Sequence, residues 1–455
     1  MSGWHAASHA ARCALGLFEL LVALGIFALA PQPVAADDTK RDIPDYDGRE
    51  EPTTAGDVLI WVPRIALSPL YVVSEFVVRR PLGFLVSSAE RAKLPQTLYD
   101  LFTFGPDKNA GLAPVAFLDF GFDPSVGLYF FWNDAFAPGH DLRLRGATWG
   151  DDWVSANLSS RIHFRQDASF AVKASALRRP DYVFYGLGPR SLERDVGRYG
   201  ATTYEGSVQL DVGLWRTSRV LTEVGLRTRR FREGEYGGDS TLGQRVARGN
   251  YAEPPGYDSR YTVLFNRILL AIDSRAAAPE PGSGVRLELR AEQQSPLAGD
   301  PAGWVRYGAI GGLFYDLFDR GRVLSLSGGV TFADPLGDHE IPFTELVELG
   351  GNEAMRGFVP GRLFGRSAAA ATLAYRWPIW VFMDGSIQLS VGNVFGKHLE
   401  DFDPELLRFS AAIGVESRSS RDSAIELLLG LGSETFAQGG TITSFRFIFG
   451  SHYGF

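Results

Sequence analysis

One cysteine occurs in 455 residues, Cys13. It precedes an apolar run instead of ending it, so it is not placed for lipid attachment. Behind that run no thiol remains, which excludes disulfides and cysteine metal sites. Histidine is nearly as scarce: past residue 36 the chain has His140, His163, His339, His398 and His452. No HExxH, Gly-x-Ser-x-Gly or clustered metal spacing accompanies them, so no enzyme activity, cofactor or metal is expected. Positive charge is in deficit too, with a net charge of -8, and no nucleic-acid partner is expected. Past residue 36 there is no run of 18 apolar residues, which excludes membrane-spanning helices there. Past residue 100 there are neither long helical periods nor βαβ alternation, although a soluble chain of this length would show one or the other in two or three domains.

What the chain has instead is short alternating segments, rich in aromatics and separated by Gly, Asp, Asn and Ser. Sixteen strands are predicted near 112–120, 124–132, 141–150, 152–163, 168–178, 200–214, 218–231, 258–272, 283–293, 303–317, 322–334, 366–377, 385–395, 406–416, 423–431 and 441–455. The clearest is VRLELRAE, where Val285, Leu287, Leu289 and Ala291 alternate with Arg286, Glu288, Arg290 and Glu292. Alone it reads equally as an edge strand of a soluble sandwich. The alternation recurs, however, in Leu142/Leu144 against Arg143/Arg145, Leu324/Leu326 against Ser325/Ser327, and Ile387/Leu389/Val391 against Gln388/Ser390. Apolar side chains facing lipid and polar ones facing a lumen give this pattern. The fold class is therefore all-β and transmembrane: a 16-stranded antiparallel outer-membrane β-barrel over residues 111–455. Arginine on the lipid face at mid-membrane costs about 2 to 4 kcal/mol, so a one-residue slip of the 285–292 strand is strongly disfavoured. Connection lengths agree. Short turns at 166–167, 216–218, 318–321 and 417–422 fall on the side of the chain ends, while the long segments 232–257, 335–365 and 396–405 fall on the other. The connections at 133–140 and 273–284 are longer than this scheme expects.

Residues 1–36 read as a signal peptide. Arg12 supplies the cation, 15–30 is apolar apart from Glu19, and Val34, Ala35 and Ala36 offer small residues for cleavage. Export is thus expected. Residues 37–57, with eight carboxylates from Asp37 to Asp57, form an acidic periplasmic linker that cannot bury a core. Residues 58–110 form a short periplasmic or interfacial helical segment punctuated by Pro63, Pro69 and Pro81. In its LYVVSEFVVRR stretch Glu75 and Arg79 stand at i,i+4 on a polar edge. Such a helix lies at the membrane interface, packs under the barrel mouth, or simply docks on the protein.

Between two predicted strands lies ELVELGGNEAMRGFVPGRLFGR, residues 345–366, without helix or strand period. Long connections inside regular structure are functional or disordered. Its glycines allow close backbone approach, and Leu346, Val347, Leu349, Met355, Phe358, Leu363 and Phe364 argue for packing over solvation.

This glycine-rich loop, with Arg356-Gly357-Phe358 between the eleventh and twelfth of sixteen strands, resembles that of the BamA/TamA superfamily of outer-membrane assembly barrels, the bacterial surface antigen family. PheTyrGlyLeuGly at 184–188, the AspSerArg turn at 273–284, GlyAsnValPhe at 392–395 and the terminal SFRFIFGSHYGF add to the resemblance, which spans roughly residues 110–455. It implies that loop 335–365 folds into the lumen and that Met355, Arg356, Gly357 and Phe358 form a lock against the inner wall. The family's acidic wall residues are replaced here by Ala374 and Ser390, with Gln388 where an aromatic stands. A buried guanidinium needs acceptors, and Gln388, Ser390, Glu288, Glu292 and Glu348 are the expected partners. No POTRA domain is recognisable in 37–110. The aromatic end of the last strand, with Phe449, Tyr453 and Phe455, resembles the signal by which assembly machinery recognises its clients; by periodicity alone it is a lipid face and girdle.

The resemblance implies a barrel in the cell outer membrane of a Gram-negative bacterium. Its partners there are outer-membrane lipid, the assembly machinery to which it is itself a client, and an unfolded protein client that it helps to assemble, insert or translocate. The alternative is a passive pore or structural barrel gated by loop 335–365. A short, glycine-bearing last strand that pairs poorly with the first favours the former. Fully paired edges and a wide lumen favour the latter.

Overall fold

A computed structural model describes residues 94–452 except 106, 258, 277–281, 298–302, 318–320, 353, 381–382 and 418–423. The expected signal peptide, the expected acidic linker, most of the expected helical segment, Tyr453 and Phe455 lie outside the described residues. The chain divides into two units, residues 1–102 and 103–455. The first contributes one described helix, Leu94–Phe102, within the stretch expected to be helical. The second begins at Thr103 and is the barrel.

Sixteen strands build it, and all sixteen predicted segments coincide with one: β1 (Ala110–Asp119), β2 (Ser125–Trp132), β3 (His140–Thr148), β4 (Val154–Arg165), β5 (Ala168–Phe184), β6 (Gly197–Gly213), β7 (Arg219–Glu233), β8 (Arg260–Asp273), β9 (Gly284–Pro296), β10 (Trp304–Asp316), β11 (Val323–Pro335), β12 (Ser367–Trp380), β13 (Met383–Phe395), β14 (Arg408–Ser417), β15 (Ala424–Ser433) and β16 (Ile442–His452). Each pairs antiparallel with its sequence neighbours, and β16 returns to β1, closing the ring. Closure leaves no sheet edge to satisfy in lipid, which is why strands can span a membrane at all.

The register of β9 follows its chemistry. Val285, Leu287 and Leu289 face outward, 40–52% exposed, whereas Glu288 and Glu292 are buried inside at 4% and 5%. Arg286 and Arg290 both pair with Glu288, so the inward ladder neutralises itself. The long 273–284 connection is tied down by Arg275, which forks onto Asp273 at 2.9 and 2.8 Å and stacks on Phe314, and by Ser218, whose Oγ donates to the Asp273 carbonyl at 3.2 Å.

At the end opposite the chain termini, long connections fold inward and build a hydrophobic core inside the barrel. Phe343 is its centre, with the rings of Phe184 and Tyr199 each 5.1 Å away, Phe231 at 5.4 Å and Phe364 at 6.2 Å. Met355, Phe358, Leu363 and Val394 belong to the same cluster and are fully buried.

Candidate functional site

Connection 336–366 bridges the lumen and is fixed at three places. The first is Glu345, in a short 3-10 turn over Phe343–Glu345. Its carboxylate meets Arg227 at 3.1 Å and Arg229 at 3.4 Å on β7, and accepts from the Tyr261 hydroxyl at 2.6 Å and Gln294 at 2.8 Å. Burial pushes this carboxyl up, but the Arg227 and Arg229 guanidiniums beside it prevail and hold it at about 2.

The second place is the Met355–Phe358 tetrad. A turn closes with the Phe358 N–H donating to the Met355 carbonyl at 3.0 Å, and Met355 takes a left-handed φ of 64°. Such a conformation is uncommon for a non-glycine residue and persists where packing over-determines it. Gly357 lies against β15. Its N–H donates to Ser410 Oγ on β14 at 2.8 Å, and its carbonyl accepts from Ser444 Oγ on β16 at 3.2 Å. A Cβ at Gly357 would collide with the Leu431 carbonyl oxygen, and one at Gly432 would fall 2.5 Å from the Phe358 ring. Gly430 and Gly432 thus form the slot that receives the loop. Arg356 forms its ion pair with Glu426 of β15, and both side chains are buried.

None of the five expected acceptors is the carboxylate that meets Arg356. Ser390 hydrogen-bonds with Thr372 at 2.9 Å. Glu288 is taken by Arg286 and Arg290, and Glu292 by Arg267 at 2.9 Å and Arg306 at 3.1 Å. Glu348 accepts from the Gly361 N–H at 2.5 Å, and Gln388 stands half-buried on β13. Glu426 was legible in principle: it is the one acid in AIELLLGLGS and shares the inward parity of Gly430 and Gly432.

The third place is Arg362, fully buried, bonded to Glu193 at 2.6 Å, to Ser191 Oγ at 2.8 Å and to Glu434 at 3.3 Å, with its guanidinium over Tyr185. Arg408 shares the same Glu434 at 2.5 Å. Neither arginine stands out in the sequence by period or motif.

Beside the tetrad, the ring closes, among the described residues, over a short ladder of three residue pairs, Ile448 with Asp119, Phe449 with Leu118, and Gly450 with Phe117, with the Phe120 N–H donating to the Phe447 carbonyl at 2.8 Å just beyond it. By contrast, β15 and β16 stay paired from Ala424 opposite His452 to Ser433 opposite Ile442. Toward the chain termini the same edge of β1 is covered at Ala110 and Gly111 by the short strand Thr103–Phe104. Pro114 sits on β1 where no N–H is required of the edge. Phe449 points outward at this seam. The buried Arg446 of β16 spans it, bonding Asp119 of β1 at 2.9 and 3.3 Å, and also reaches the carbonyls of Gly351 and Arg356 in the loop. One guanidinium therefore joins the last strand, the first strand and the lumen loop.

A model of the Omp85 superfamily domain matches residues 149–450, more than half of the chain. Among solved structures, BamA from Haemophilus ducreyi lacking POTRA domains 1–3 is similar, with 18% identity and a TM-score of 0.54 over 75% of this chain and 70% of that one. CdiB from Acinetobacter baumannii has 11% identity and a TM-score of 0.45 over 75% of this chain and 59% of that one. CdiB from Escherichia coli has 12% identity and a TM-score of 0.47 over 76% and 64%. No curated protein sequence matches. The first of these likenesses is one of fold: a closed barrel of sixteen antiparallel strands. With the family domain covering β4 to β16, the chain is a member of the Omp85 superfamily of outer-membrane β-barrels.

Proposed function

We propose that this barrel assembles, inserts or translocates a protein client at the outer membrane of a Gram-negative bacterium, by opening between β1 and β16. The observation that carries this reading is the seam, three pairs long among the described residues. Backbone hydrogen bonds hold a barrel closed in lipid, so the joint with fewest of them opens at least cost. The client's own strand edge then replaces the missing partner of β1 or β16. Residues 1–36 direct export of the chain. The tetrad Met355, Arg356, Gly357 and Phe358 braces the wall next to the seam, through Glu426 and Ser410. Phe449, with Tyr453 and Phe455, serves as the signal by which assembly machinery folds this chain as a client.

The test is a disulfide across the seam in liposomes containing the purified protein. Leu118→Cys with Phe449→Cys in a Cys13→Ser background uses a direct register pair, whose separation suits a disulfide. A urea-unfolded eight-stranded barrel is added and its folding followed by gel mobility. The expected result is faster client folding with the reduced protein, lost on oxidation and restored by reductant. Equal folding with and without the barrel defeats the reading, and large steady currents that the disulfide leaves unchanged would identify a passive pore instead.

A further inference from the structure

The outward face of β5–β8 carries a row of arginines at the end opposite the chain termini. On β7, the lipid-facing Val224 and Leu226 are followed on the same face by Thr228, Arg230 and Arg232. The ladders on both sides of β7 run without a bulge, so this parity is unbroken. Register places Arg178 of β5 opposite Thr202 of β6, Thr202 opposite Arg230, and Arg230 opposite Arg260 of β8. These four positions form one line across four strands, and three of them are arginine. The rung beneath holds Tyr204, 58% exposed, and the hydroxyls of Thr228 and Thr262, 3.0 Å apart. Arg230 lies four residues beyond Leu226, about 13 Å at the rise of a β-strand, which puts the row past the apolar band.

Like charges directly opposite one another destabilise a sheet. Asp152 relieves part of the row, accepting from Arg178 at 2.5 Å and from Arg232 at 2.6 Å. Arg230 and Arg260 are exposed and have no such partner among the described residues. The arrangement is local: on β11 the outward Asp334 at the same end is held by His398 at 2.7 Å and Arg366 at 3.3 Å. A facing pair of unopposed guanidiniums just above a lipid-facing wall, with a tyrosine below, is complementary to an anion that lipid itself supplies. We propose that Arg230 and Arg260, flanked by Arg178 and Arg232, bind the phosphate groups of a phosphorylated lipid in the leaflet at that end. Guanidinium forks match phosphate oxygens bidentately, and the rigid sheet fixes their spacing.

The experiment is native mass spectrometry of the full detergent-solubilised protein titrated with bis-phosphorylated lipid A, its dephosphorylated form, or inorganic phosphate. The expected result is one or two retained lipid A molecules, little retention of the dephosphorylated lipid, and no displacement by millimolar phosphate. In Arg230→Gln/Arg260→Gln the lipid A affinity falls tenfold or more, about the factor for losing charge-assisted hydrogen bonds. Arg165→Gln, at the opposite rim, binds as the parent does. Both variants should still migrate as folded barrels on unheated gels. Retention unchanged in the double variant, or equal retention of the dephosphorylated lipid, overturns the proposal. Displacement by inorganic phosphate also overturns it, since the site would then take a free anion and not a lipid.

Discussion

Arg356 and Glu426 show how much one buried pair contributes at the scale of a residue. Removing one partner leaves the other charge buried without its counter-ion, a loss of about 3 to 5 kcal/mol. Arg356→Ala is expected to lower the urea midpoint and to turn small, flickering currents in planar bilayers into large, steady ones as the loop leaves the lumen. Arg356→Ala/Glu426→Ala should recover part of the stability, because no orphan charge remains; a double variant no more stable than the single one would deny the pairing. Glu345 has a pH signature. Its carboxyl titrates at about 2 when folded, below the ordinary value of 4.5. Its hold on the loop is therefore complete above about pH 4.5 and fades as pH falls toward 2, on the order of 3 kcal/mol in all. Conductance should rise over that acid window in the parent protein, and Glu345→Gln should show the raised level already at neutral pH.

At the scale of an element, the slot between the loop and β15 depends on missing side chains. Gly357→Ala places a Cβ against the Leu431 backbone, which has no flexible end to give way. Gly432→Ala presses on Phe358. Each should destabilise the seated loop by about 1 to 3 kcal/mol or more, read as a lower urea midpoint, whereas Gly146→Ala, with open space at its Cβ position, should be neutral. Strands were legible because the lipid face imposes a period of two on every one of them. The clearest shortfall is β5, predicted to end at 178 but running to Phe184. Pro180 falls inside a register shift between Arg179 and Tyr182, so the alternation is interrupted there while the strand continues. Glu426 was legible as an inward carboxylate, but not as the acceptor of Arg356. Which inward carboxylate a loop side chain meets depends on how the loop crosses the lumen, and no period along the chain encodes that path.

At the scale of the whole molecule, the ring is uneven. Long ladders run from β1 round to β16, the inner loop braces the far wall through Glu345 and the near wall through Arg356, and the joint between β16 and β1 is short. The sequence showed a glycine in the last strand, Gly450, but left open whether that strand pairs poorly or fully with the first. The clasp of Arg446 on Asp119, the short cover strand and the loop carbonyls held by the same arginine emerge only when residues far apart in the chain are brought together. Arg446→Gln should therefore loosen seam and loop together, raising conductance and speeding amide exchange in β1, whereas a change confined to one of the two would break that link.

Amide hydrogen exchange of the folded barrel in liposomes, read by mass spectrometry, tests most directly whether the seam opens. Peptides covering β1 and β16 are predicted to exchange well before those from β5 to β8, and the Leu118–Phe449 disulfide to slow them to the level of the other strands. Uniform protection around the ring, unchanged by the disulfide, would contradict a barrel that opens between its first and last strands.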